Sequence, residues 1–143
     1  MLSGGAPRIG HESLKLGNCG EYLDKADFPI LGLCIGHQFI ALHHGGTAGP
    51  ADTPEFGKVE LILDEPDDIL KGLPERSIIW MSHNDEVKSL PDDFIVLGHS
   101  QYCEVQAIKY LKKPFYGLQF HPEVNDTQYG KEIFQNFVDI CKK

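Results

Sequence analysis

The sequence lacks long apolar stretches, runs of basic residues and paired cysteines. No segment reaches the roughly 20 apolar residues of a membrane-spanning helix. The formal net charge is −8, which argues against a nucleic-acid-binding surface. Cys19, Cys34, Cys103 and Cys141 form no Cys-x-x-Cys pair, and no basic segment followed by an apolar one marks a secretory signal. These absences favour a cytoplasmic protein with reduced thiols.

The length and the order of the apolar segments predict one domain over residues 1–143, of the α/β class with an antiparallel portion. A closing helix is predicted from about Thr127, because apolar residues recur there at steps of three and four. Its predicted apolar face comprises Ile133, Phe134, Phe137, Val138 and Cys141. The predicted strands are Ile30–Leu33, Lys58–Leu63, Ser77–Met81, Phe94–Gly98, Val105–Tyr110 and Phe115–Phe120.

A Gly-x-Cys-x-Gly motif lies between the first of these strands and a short helix, and it is centred on Cys34. This is the nucleophile-elbow pattern with cysteine in place of serine. Glycines allow the sharp turn, and the start of the helix is expected to stabilise a thiolate and lower the pKa of the thiol. Taken alone, the motif is equally compatible with a buried structural cysteine.

His121 and Glu123 follow the last predicted strand. Active-site groups of open α/β sheets gather at the carboxyl ends of strands, so Cys34 and His121 are predicted to meet there. An imidazole can take the thiol proton and later protonate the leaving group. A carboxylate two residues on returns to the same face of extended backbone and could orient that imidazole. Singly, each is also compatible with an ordinary surface or strand-end residue.

Ser3-Gly4-Gly5 is either a plain turn or a loop whose backbone N–H groups stabilise an oxyanion. With an elbow cysteine and a strand-end His-x-Glu, such a loop completes the set of groups that acyl transfer from an amide requires. The combination therefore indicates acyl transfer from an amide through a cysteine.

Three segments resemble the signature segments of class I (triad-type) glutamine amidotransferases: Ser3-Gly4-Gly5, Gly32 to Gln38, and Phe120 to Val124. Three further segments are similar to the amidotransferases of the GMP synthase family in their form as a separate small protein: Glu55 to Lys58, Trp80 to Val87, and Tyr129 to Phe137. The resemblance implies an open, mostly parallel sheet with flanking helices and a flavodoxin-like core.

The resemblance also implies roles for individual residues. Cys34 corresponds to the nucleophile, His121 to the acid/base and Glu123 to its orienting partner. The implied oxyanion donors are backbone N–H groups of Gly4, Gly5 and Ile35. Gln38 is implied to hold the substrate glutamine, and Ser82, His83 and Asp85 are implied to contact its amino-acid end or the partner subunit.

The implied reaction releases ammonia from glutamine through a Cys34 thioester. The ammonia would pass to an ATP-pyrophosphatase (synthetase) subunit that aminates XMP to GMP. No phosphate-binding Gly-x-x-x-x-Gly-Lys loop is present, so ATP, Mg²⁺ and XMP are expected on that partner, with no cofactor or metal in this chain. His43 and His44 are predicted to point apart on their helix, and His37 to be a packed residue.

The family fold begins with a strand–helix–strand unit of roughly 30 residues before the Ser-Gly-Gly loop. This sequence starts at that loop, so it is expected to be an incomplete domain with low stability on its own.

Three alternatives stay open. The chain could serve as the amidotransferase of anthranilate or carbamoyl-phosphate synthesis. It could be a γ-glutamyl hydrolase-like cysteine hydrolase, or a catalytically inert interaction subunit.

Overall fold

The computed structural model describes residues 25, 28–65, 68–122, 124 and 127–142, without the side chains of residues 52–55, 68 and 82–84. Of the predicted site residues, Gly4, Gly5 and Glu123 lie outside this part of the chain. The elements it describes are the strands β1 (Ile30–Leu33), β2 (Thr47–Leu63), β3 (Arg76–Ser89), β4 (Phe94–Ser100), β5 (Cys103–Tyr110) and β6 (Phe115–Leu118), a 3₁₀ turn (Asp68–Leu70), and the helices α1 (Ile35–His43) and α2 (Gly130–Cys141).

The six strands form one mixed sheet in the order β1-β6-β5-β4-β2-β3. β1 and β6 run parallel, whereas the other four pairings between described strands are antiparallel. The α/β class and the antiparallel portion predicted from the sequence are therefore confirmed. A mostly parallel sheet was expected. Among the described strands, however, antiparallel pairings predominate, because β2, β3, β4 and β5 all pair with antiparallel neighbours.

Apolar side chains of β1 pack on both faces of the sheet. Ile30 belongs to a cluster with Ile40 and Phe115 on the α1 side, whereas Leu31 belongs to a cluster with Ile133 on the α2 side. Successive residues of a strand point to opposite faces, so a strand covered by helices on both faces has a continuous apolar sequence. The predicted bounds of this strand, Ile30–Leu33, are confirmed for that reason.

The hairpin of β2 and β3 is much longer than the sequence predicts. The polar cluster after Met81 predicts the end of β3, and Lys58 the start of β2, but pairing continues to Thr47 opposite Ser89. The register shifts between Pro50 and Glu55, and an irregularity of this kind tolerates a proline that has no N–H for the ladder. The predicted start of β2 at Lys58 is therefore wrong.

Helix α2 begins at Gly130, three residues later than predicted. Gly130, Ile133 and Ile140 are its buried residues, with Phe134 and Phe137 partly buried against the same core. Val138 is 44% exposed and Cys141 is exposed, so their predicted place on the apolar face is wrong. They follow Phe137 and Ile140 by one position, which rotates them by about 100° away from the core.

The sheet curls so that the residues following β6, near one edge of the sheet, approach β3 at the other edge. The N–H of His121, just beyond β6, donates to the carbonyl oxygen of Trp80 in β3 (3.1 Å). The side chain of Gln38 in α1 also reaches β3, at the carbonyl oxygen of Asp85. No helix in the described part of the chain has both the length and the apolar character needed to cross a bilayer.

Candidate active site

Cys34 occupies a strained turn between β1 and α1. Its backbone has φ 55° and ψ −108°, a conformation that L-residues rarely adopt and that tends to occur at functional sites. Its N–H donates to the carbonyl oxygen of Leu118 (2.8 Å), and its own carbonyl oxygen accepts from the N–H of Gln38 (3.2 Å). Cys34 thus ends the strand ladder and begins the helix, which confirms the predicted strand–turn–helix connection.

Gly32, the first glycine of the motif, allows the strand and the helix to approach closely. A Cβ atom added to Gly32 would lie 2.7 Å from the carbonyl carbon and oxygen of Gly36. Real Cβ atoms essentially never come this close to backbone, so both the turn and the position of Cys34 depend on glycine at position 32.

The parallel pairing of β1 with β6 brings the predicted site to one edge of the sheet. Leu33 lies opposite Leu118 in the register, so Cys34 leaves one strand where residues 119–121 leave its neighbour. The sequence-based expectation that Cys34 and His121 lie at the same sheet edge is therefore confirmed.

The backbone of His121 is fixed on both sides. Its N–H donates to Trp80, and its carbonyl oxygen accepts from the hydroxyl of Thr127 (2.7 Å). The same hydroxyl oxygen accepts from the N–H of Trp80 (2.9 Å). Gln128 adds a second tie to β3 through Ile78, in which its N–H donates to the carbonyl oxygen and its Oε1 accepts from the N–H. These contacts tie the turn that carries His121 to β3, and the sequence had not indicated Thr127.

Gln38 is a buried residue of α1, and its amide nitrogen makes two hydrogen bonds. Nε2 donates to the carbonyl oxygen of Asp85 (2.9 Å) and to Oε1 of Gln119 (3.0 Å). Both amide hydrogens are thereby engaged, so a contact between Gln38 and a substrate would involve its Oε1. Asp85 is itself buried at 6% exposure and meets Gln38 through its backbone.

Gln119 is a site residue that the sequence reasoning missed. It is fully buried, and its Nε2 lies 3.8 Å from Sγ of Cys34, in the orientation of a donor. The signal that could have found it is a lone amide inside the apolar segment Phe115–Phe120, two residues before His121. A polar side chain at such a position needs a buried partner.

Two other predicted positions are only partly described. Ser82 and His83 lie within β3, where the structure gives their backbone alone.

Ile35 is the first residue of α1, and N–H groups of the first helical turn have no acceptor within the helix. Its N–H is therefore available by position for the predicted oxyanion role.

Several other histidines and cysteines in the described part of the chain have different surroundings. His37 is completely buried, as predicted. His43 and His44 were expected to point apart, but their ring centroids are 5.1 Å apart in an edge-on contact, because the helix ends at His43. Cys103 is buried and Cys141 exposed. No group of three or more potential metal-ligating side chains lies close together among the residues that the structure describes.

A shallow groove of about 310 Å³ lies beside the His121 turn, at the start of α2. It is lined by Pro122, Val124, Thr127, Tyr129, Gly130, Lys131, Glu132 and Phe134.

Comparison with known proteins agrees with this geometry. The family model Glutamine amidotransferase class-I matches residues 1–141. The glutamine-hydrolysing GMP synthase subunit from Thermoplasma volcanium is 52% identical over 143 residues, which cover 100% of this chain and 71% of that protein. The corresponding protein from Methanothermobacter thermautotrophicus is 46% identical over 142 residues, or 99% of this chain and 74% of that protein.

Solved structures show the same fold. A crystal structure of a protein assigned as the corresponding GMP synthase subunit, from Thermoplasma acidophilum, superposes with a TM-score of 0.94 at 49% identity, over 99% of this chain and 71% of that one. A glutamine amidotransferase from Thermotoga maritima superposes with a TM-score of 0.76 at 24% identity, over 97% of this chain and 60% of that one. The second likeness concerns the fold alone.

Proposed function

Because this chain belongs to the class I glutamine amidotransferases, we propose that it is the glutaminase subunit of a GMP synthase. The observation that carries the proposal is the strained elbow at Cys34, which lies at the same sheet edge as His121. The high identity to several glutamine-hydrolysing GMP synthase subunits over the whole chain supports this pathway over anthranilate or carbamoyl-phosphate synthesis.

The proposed reaction has two half-steps that share one thiol. The Cys34 thiolate attacks the side-chain carbonyl carbon of glutamine, and the carbonyl oxygen becomes an oxyanion that accepts from the N–H groups of Ile35, Gly5 and Gly4. The C–N bond then breaks, and the nitrogen takes a proton from His121 and leaves as ammonia. A glutamyl thioester remains on Cys34.

Water completes the cycle in the second half-step. His121 removes a proton from the water as it attacks the thioester carbonyl, and the C–S bond breaks to release glutamate and regenerate the thiolate. Glu123 is proposed to orient the imidazole and to stabilise its charged form.

The substrate would lie between the elbow and the middle of β3. Gln38 and Asp85 border this region from α1 and β3, and Ser82 and His83 precede Asp85 on the same strand. We assign to Gln38 the holding of the substrate glutamine, and to Ser82, His83 and Asp85 contact with its amino-acid end or with the partner subunit.

The ammonia acceptor is proposed to lie on an ATP-pyrophosphatase subunit that binds ATP, Mg²⁺ and XMP. This chain would then supply ammonia and need no cofactor of its own. A reducing compartment keeps cysteine thiols from forming disulfides, so the proposal includes a cytoplasmic location.

Ammonia release from glutamine tests the proposal. The chain is assayed alone and with a GMP synthase ATP-pyrophosphatase subunit, ATP and XMP, beside Cys34→Ala and the matched variant Cys103→Ala, which removes a buried thiol elsewhere in the sheet. We expect ammonia release that requires Cys34 but not Cys103. The rate of release should rise when the partner subunit is present with ATP and XMP. Preference for γ-glutamyl peptides would indicate a hydrolase, and no release from a chain that binds the partner would indicate an inert subunit.

A further inference from the structure

Gln119 faces the helix that carries the nucleophile. It follows the last residue of β6, and its N–H donates to the carbonyl oxygen of Gln106 on β5 (2.7 Å). A Cβ atom added at Gly117, two residues earlier, would point towards His37 in α1. Alternate residues of extended backbone share a face, so the side chain of Gln119 also points to α1.

The orientation of the Gln119 amide is fixed by a chain of hydrogen bonds. The carbonyl oxygen of Asp85 accepts one hydrogen of the Gln38 amide nitrogen, and Oε1 of Gln119 accepts from the same nitrogen. With its oxygen held by Gln38, the Gln119 amide presents its nitrogen to Sγ of Cys34 at 3.8 Å. Gln38 of α1 thus donates to Gln119, and Gln119 donates to the sulfur of Cys34.

A donor in this place acts differently on the two forms of the sulfur. Hydrogen bonds to ionised groups are about twice as strong as those between neutral groups, so an N–H aimed at the sulfur favours the thiolate over the thiol. We propose that Gln119 stabilises the Cys34 thiolate and holds its sulfur in the attacking position, and that Gln38 orients the Gln119 amide for this purpose. This inference rests on the proposed role of Cys34 as nucleophile and deepens it.

The pH dependence of Cys34 alkylation measures this effect without using glutamine. The full chain is treated with iodoacetamide from pH 5 to pH 10, and the Cys34 adduct is quantified by peptide mass so that other thiols do not contribute. Gln119→Met keeps the length of the side chain and removes the donor. It is expected to raise the alkylation midpoint by about one pH unit, which corresponds to a tenfold change in the ionisation equilibrium. Gln119→Glu, which places a carboxylate near the sulfur, is expected to raise it further.

Gln106→Met is the matched control. Gln106 is also a fully buried glutamine on the sheet, but its Nε2 donates to Oγ of Ser100 (2.8 Å) rather than to Cys34. This variant loses a comparable buried hydrogen bond, so it is expected to lower the melting temperature while leaving the alkylation midpoint unchanged.

A midpoint in Gln119→Met equal to that of the unsubstituted chain would overturn the inference. If Gln119→Met does not fold, Gln38→Met tests the same chain of hydrogen bonds, and an unchanged midpoint there would also overturn it. A shifted midpoint in a chain that releases no ammonia would contradict the proposed glutaminase function instead, so the two failures are distinguishable.

Discussion

The hydroxyl of Thr127 donates a hydrogen bond to the carbonyl oxygen of His121 across 2.7 Å. The hydroxyl oxygen in turn accepts from the N–H of Trp80, so one buried side chain joins the His121 turn to β3. Thr127 has no expected contact with glutamine. Its effect on the reaction would therefore come through the position of His121.

Thr127→Val should lower both stability and turnover. Valine has the same shape but removes the hydroxyl, so the N–H of Trp80 loses its acceptor, while the His121 carbonyl oxygen keeps the longer hydrogen bond from the N–H of Val124 (3.4 Å). A buried donor left unsatisfied costs about 1–3 kcal/mol. We expect a kcat for ammonia release that is lower by up to about tenfold, because His121, the proposed general base, would be displaced, and a displaced base transfers protons poorly. Thr127→Ser should restore most of kcat.

The control for Thr127 is Thr47→Val. Its hydroxyl bonds Oγ of Ser89 at an exposed position of the hairpin. Equal losses of kcat in the two valine variants would contradict a positioning role for Thr127.

Cys34→Gly should be more stable than Cys34→Ala. Both lose the thiol, but only glycine adopts φ 55° and ψ −108° without strain, and relief of such strain is typically worth about 1–3 kcal/mol. Urea unfolding of the two variants measures the difference. At Cys103, the first residue of β5, φ is not positive, so the order should reverse, since glycine loses more conformational entropy on folding than alanine. A Cys34→Ala variant as stable as Cys34→Gly would show that the elbow is unstrained.

Gly32→Ala should destabilise the chain strongly and abolish ammonia release. The new methyl group would lie 2.7 Å from the backbone of Gly36, which cannot yield without moving α1 and Cys34. We expect a loss of about 3 kcal/mol or more in unfolding free energy, at the upper end of overpacking effects. Gly49→Ala is the control, because nothing lies within 4 Å of its Cβ position. A similar small change in both variants would refute the close-approach argument.

The sequence predicts the parts of the site that are local in the chain. The elbow depends on a strand, two glycines and a helix within fewer than 20 residues, and all of these leave a pattern in the sequence. His121 is recognisable because it follows a clear apolar strand. Cys34 and His121 lie at the same edge of the sheet because active-site groups follow the carboxyl ends of neighbouring parallel strands.

The contact between Gln119 and Cys34 could not be predicted in this way. It depends on the register that sets Leu33 opposite Leu118 and on the packing of α1 over β6. The long hairpin was missed for a related reason: its pairing passes through a register shift near Pro50, so neither proline nor polar composition ended the strand. Tertiary pairing overrides local propensity at such positions.

Covalent labelling by a glutamine analogue tests the central claim most directly. An analogue that carries a diazoketone in place of the side-chain amide is attacked by the nucleophile and stays attached, with loss of N₂. We expect one adduct per chain, located at Cys34 by peptide mass, with labelling slowed by glutamine and slowed strongly in His121→Ala. Labelling of Cys103 or Cys141 at the same rate as Cys34, or ammonia release that continues in a chain fully labelled at Cys34, would contradict the assignment of Cys34 as the nucleophile.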